Sequence, residues 1–166
     1  MTLLGAGPVA FAASSTWIGG SSTDGNWSDT LNWASGVVPG SISGTTSTDI
    51  ATFNSLIANG WGTVGTPIVI DQTTQNIGGI NFDTGTDNYF IGSTGGNSLL
   101  LTSGGAIQIL GTLTSTNAVE TVNAPLVIEG AGGTYSFTNN SANGTGAGAG
   151  TLDIGGAISG GAAGAT

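Results

Sequence analysis

The chain has 166 residues, a length that suits one domain, and its formal charge of −9 arises from nine acids with no Lys, Arg or His to oppose them. Without cationic side chains it cannot displace phosphate counterions or draw itself to anionic lipid, which excludes nucleic-acid binding and gives no means of direct membrane insertion. It also has no Cys, so disulfides and thiolate metal sites are excluded, and Ser or Thr nucleophiles lack their usual activating base.

In chain order, residues 1–12 come first: an apolar run ending in Ala10-Phe11-Ala12, an A-x-A cleavage pattern without a basic start. The run is too short to span a bilayer. It reads as the remnant of a signal peptide that begins upstream and is removed after Ala12, which places the mature chain outside the cell. Residues 13–47 hold Trp17, Trp27 and Trp33 among dense turn residues and read as an N-terminal cap. Residues 48–166 read as the coils themselves, Gly-rich and truncated from about residue 139.

The coil region carries short apolar runs, each bounded by Gly, Asn, Asp or Ser. They include Asp49-Ile50-Ala51-Thr52-Phe53, Ile68-Val69-Ile70, 77–82, Tyr89-Phe90-Ile91, Leu99-Leu100-Leu101, 106–113, Leu126-Val127-Ile128 and Tyr135-Ser136-Phe137. A late run, Leu152-Asp153-Ile154, lies inside the Gly-rich tail. This is the strand signal, and Gly interrupts any helical period. Ile, Leu, Val and Phe number 38 residues, just above the rough 20% floor for folding. Ile70, Ile80, Phe90, Leu100 and Ile109 sit roughly ten residues apart, with tight Gly bends such as Gly95-Gly96-Asn97 between them. Loose, sustained self-similarity of this kind predicts an all-β solenoid, a parallel β-helix of two or three runs per coil. Inward Ile, Leu, Val and Phe form a dry core, while Ser, Thr and Asn face water.

One stretch is more specific. Trp17-Ile18-Gly19-Gly20 is followed by Asp24-Gly25-Asn26-Trp27-Ser28-Asp29, Asn32-Trp33-Ala34-Ser35-Gly36-Val37-Val38-Pro39 and Asp49-Ile50-Ala51-Thr52-Phe53. This order resembles the start of secreted bacterial proteins that carry autotransporter-associated β-strand repeats. Ile77-Gly78-Gly79-Ile80-Asn81-Phe82, the run Val119-Glu120-Thr121-Val122-Asn123-Ala124-Pro125-Leu126 and residues 150–160 are similar to that family's strand units. The resemblance covers most of residues 17–160. It implies a right-handed parallel β-helix in a passenger or surface protein, exposed on a Gram-negative-type outer membrane, with roles in adhesion or envelope structure. Its partners would be a host or neighbouring cell surface, a matrix or a glycan. It implies no catalytic residues. The chain carries no membrane-barrel segment and stops within what looks like another repeat, so it is expected to be a fragment.

The remaining chemistry rests on a few side chains. Trp17, Trp27 and Trp33 either plug the open end of the first coil or offer flat faces for stacking on a glycan. Asp83 and Asp87 are the nearest acid pair, and their Asp-Thr-Gly-Thr-Asp-Asn setting favours a turn over glycosidase-type catalysis. Calcium is the only metal these side chains suit, and Asp24-Gly25-Asn26 with Asp29 has a faint calcium-loop look without the EF-hand or nonapeptide pattern. The expectation is therefore a non-catalytic structural or adhesive module without a cofactor, whose alternative is a glycan-binding module. Its unfinished last coil is expected to support end-to-end self-association.

Overall fold

The computed structural model describes residues 13–85, 88–142 and 150–160. The expected signal remnant, 1–12, lies outside them. Within them the chain forms β1 (Ser15–Thr16), β2 (Ile50–Phe53), β3 (Gln75–Phe82), β4 (Phe90–Ile91), β5 (Leu99–Ile109), β6 (Val119–Val122), β7 (Leu126–Ile128), β8 (Ser136–Asn139), β9 (Thr151–Ile154) and β10 (Ile158–Gly160). A single 3-10 turn, Thr30–Asn32, is the only helical element among the described residues.

Every strand pairing is parallel, and the chain winds as a solenoid with three faces. The first face stacks Gln75 to Ile77, Leu99 to Leu101, β7 and β10. The second stacks β1, β2, Gly79 to Phe82, Ala106 to Ile109 and β8. The third stacks Asn26 on Val69, Ile68 on Ile91, and then β4, β6 and β9. One winding takes from 23 residues (Ile68 to Ile91) to 32 (Leu126 to Ile158), except the first, which carries the Trp segment and takes 36 (Ser15 to Ala51) to 43 (Asn26 to Val69).

The ten-residue spacing of the sequence is thus the distance between faces. Three motif fragments are divided by it, and in 77–82 Ile77 belongs to the first face while Gly79 to Phe82 belong to the second. The run 119–126 is β6, a corner at Asn123-Ala124-Pro125 and the start of β7, rather than one strand. Residues 150–160 likewise make β9 and β10, joined through Gly155 and Gly156. The corners demand small residues where windings touch: Gly92 has φ +73°, and a Cβ there would lie 2.4 Å from that of Ala124.

The interior is a set of ladders. Ala51, Ile80 and Ile107 are in register and fully buried, as are Phe53, Phe82 and Ile109, and Ile91 stacks on Val122. Phe53 lies 5.5 Å from Phe82 in a stacked pair and 4.9 Å from Tyr89. Each fully buried side chain of this size contributes about 1.5–3 kcal/mol through area removed from water.

The expectation that Ser, Thr and Asn face water needs correction at Ser21, Asn32 and Asn76, which are fully buried, and buried Gln75 and Glu120 join them. Glu120 shares the inward parity of fully buried Val122. The correction has a physical reason: each is held by backbone that a corner or covering loop leaves unpaired. Glu120 accepts from Tyr89 N at 3.0 Å, and Asn76 Nδ2 donates to Ser43 O and Gly44 O at 3.0 and 2.8 Å.

Candidate functional site

The three Trp residues singled out by the sequence come together. Trp17 and Trp33 pack edge to face at 5.0 Å, Trp27 and Trp33 at 4.9 Å, and all three rings lie 6.2–6.4 Å from Phe53 directly beneath. T-shaped contacts of this kind add roughly 0.5–1.5 kcal/mol beyond area burial. Their exposures are 0%, 0% and 1% for Trp17, Trp27 and Trp33. A sugar stacks only on a ring face open to water, and these rings offer none.

The backbone around them closes the winding. Trp17 and Trp33 form an antiparallel bridge, with Ile18 N donating to Asn32 O (2.8 Å) and Ala34 N to Thr16 O (2.9 Å), which occupies the outer edge of β1. Ser41 bridges Asn76 in the same antiparallel sense and covers the edge of the first face. On the third face, Asn32 Nδ2 donates to Asn26 O (3.1 Å) and Trp33 Nε1 donates to Trp27 O (2.7 Å). All three edges at this end are occupied, so the stretch 17–41 is a lid.

Asn32 holds the lid together, and sequence reasoning gave it no role. It is fully buried, accepts from Ser21 N at 3.0 Å and donates to Asp24 O (3.3 Å) and Asn26 O. The available signal was an Asn beside a Trp in a segment without strand alternation. Pro39 O is a second hub, accepting from Trp27 Nε1 and Gln75 Nε2, both at 3.1 Å.

The acids hold turns, a cap and contacts between windings. Asp24 Oδ1 accepts from Asn26 N (3.1 Å) and Asp29 Oδ1 from Leu31 N (2.9 Å), capping the 3-10 turn, so the two carboxylates of the calcium-loop reading are engaged separately. Asp83 accepts from Thr84 N (2.6 Å) and from Thr112 Oγ1 on the next winding, a turn-holding role. Asp87 lies outside the described residues. Asp71 ties the lid to the third face by accepting from Ser28 N (3.0 Å) and Ser28 Oγ. Burial opposes its charge, but the bonds from Ser28, Gln72 and its own backbone outweigh that, and the carboxyl is held below its usual value.

Away from the lid, a cleft of about 630 Å3 opens on the third face between Ile57, Val64, Tyr89, Phe90, Val119 and Thr121. Its lining is mostly apolar and includes no acid. Among the described residues no three potential metal-ligating side chains of the His, Cys, Asp or Glu type converge. No family model matches this chain, and neither a curated protein nor a solved structure matches it significantly.

Proposed function

We propose that the chain is a non-catalytic extracellular module, a structural or adhesive β-solenoid of a bacterial surface protein of the autotransporter type. One observation carries the reading: the side chains richest in binding potential, Trp17, Trp27 and Trp33, are spent on closing the interior. On the second face the outward ladder Thr52, Asn81, Gln108 and Thr138 stays half open to water, a surface suited to many weak polar contacts along a matrix. The absence of cationic side chains from the sequence supports the same reading, since nucleophilic and lyase chemistry usually recruits them. The resemblance of the stretch 17–53 to the start of secreted bacterial proteins with autotransporter-associated β-strand repeats supports the location.

The test is paired. Beads coated with the chain are expected to adhere to cell-envelope or polysaccharide matrix above uncoated beads, and to retain that adhesion when soluble sugars are added. The same matrix incubated with free chain is expected to release no reducing ends or unsaturated products. Turnover that Asp83→Asn abolishes, with no adhesion, would overturn the proposal.

A further inference from the structure

The cleft on the third face has a floor and a wall of different origin. Its floor is the outward side of β4 and β6, where Phe90 and Thr121 are in register and Asn88 and Val119 lie beside them. Its wall is the stretch 57–64, with Ile57 in the lining and Val64 at the exposed rim. At about 630 Å3 the space lies within the roughly 300–1,000 Å3 range of small-molecule sites. Thr121 is the telling residue. It is on the outward parity, opposite to Glu120 and Val122, yet only 6% of it is exposed. Its hydroxyl makes no hydrogen bond among the described residues and, unlike the sealed Gln75 Oε1 and Asn76 Oδ1, keeps access to the opening. A sheltered hydroxyl that no protein group uses costs stability unless something else bonds it. Asn88 adds a second polar group. Its Oδ1 accepts from Val119 N at 2.9 Å, which fixes the amide and leaves Nδ2 without a partner among the described residues. The Phe90 ring between them is half-buried and packs against no other aromatic ring among the described residues.

We propose that the cleft binds a neutral aromatic molecule carrying a hydroxyl, a ligand of the phenol class. The ring lies against Phe90 between Val119 on the floor and Ile57 and Val64 on the wall, and its hydroxyl bonds Thr121 Oγ1 and Asn88 Nδ2. Charge selects the neutral form. The chain has no cationic side chain and a net charge of −9, so a carboxylate or phosphate meets only repulsion. An ammonium finds no acid in the lining, since Asp153, in register with Thr121 one winding on, lies outside it. A sugar fits less well. Two polar groups cannot satisfy the many hydroxyls of a pyranose, and pressing the others against Ile57, Val64 and Val119 strips their water without return. The inference does not depend on the proposed function.

Isothermal titration of the full chain with p-cresol, backed by saturation-transfer NMR, tests it. The expected dissociation constant is on the order of 0.1–1 mM, as suits a ligand of so few atoms. Thr121→Val keeps the shape and removes the hydroxyl, so it weakens p-cresol by roughly threefold to tenfold and leaves toluene unchanged. Val64→Asp, at the exposed rim, weakens both. Leu56→Asp, exposed and outside the lining, changes neither. Trp emission reports the lid and checks that each variant is folded. Benzoate and cellobiose are expected not to compete. An absence of p-cresol binding at about 5 mM overturns the proposal. So does binding indifferent to Thr121→Val or to Val64→Asp, or displacement of p-cresol by an equal concentration of benzoate or cellobiose.

Discussion

The first winding and the last described one use the same parallel stacking but differ in what their outer faces carry. The first ends in three interlocked Trp rings, two antiparallel bridges and a buried Asn that consumes stray backbone groups. The last described winding carries the ordinary inward residues of any rung, with Ile158 and Phe137 partly exposed. The contrast teaches that closing a solenoid takes dedicated chemistry. A rung alone satisfies its neighbour on one side and leaves the other side adhesive.

Removing the lid should be the most damaging single change. Trp33 touches both other rings and donates to Trp27 O, so Trp33→Ala is expected to cost about 3–5 kcal/mol, seen as a lowered urea midpoint with early loss of the Trp emission shift. An unchanged midpoint would mean the cluster is ornamental. A ladder comparison comes next. Leu126→Ala in the middle of the first face should cost about 2–5 kcal/mol, whereas Ile158→Ala one rung below should cost less than about 1 kcal/mol at concentrations where the chain is monomeric. Equal losses would show that Ile158 is as well packed as Leu126.

The smallest effect is electrostatic. Asp71 has a lowered folded pKa, so its contribution is fully present above the unfolded value of roughly 3.9 and is lost as pH falls through the folded value. Asp71→Asn should therefore lower stability modestly at pH 6, and that difference should shrink as pH drops below about 4. A difference that persists or widens at low pH would separate the Ser28 contact from charge.

Much of the fold was legible because strand runs and Gly bends obey local rules. Ile77-Gly78-Gly79-Ile80-Asn81-Phe82 reads as a strand without any tertiary knowledge, and ten-residue spacing implies faces of a coil. Which run stacks on which is a matter of register, and register is set by inward ladders that no single run displays. The lid was legible only in outline. Trp17, Trp27 and Trp33 announced an unusual segment, but their antiparallel bridging depends on backbone 16 residues apart meeting across a turn. Gln75, Asn76 and Glu120 were illegible for a different reason. Alternation treats polar residues as solvent-facing, whereas these three satisfy backbone stranded by corners and loops.

The Phe53 ring, wedged between the three indoles above and Phe82 below, joins lid to coil. Since each coil touches only its immediate neighbours, a molecule tugged from its C-terminal side should yield in a staircase of small releases, β10 before β7. The final and highest step would be the extraction of that wedge, which makes the aromatic plug the mechanical anchor of the rod.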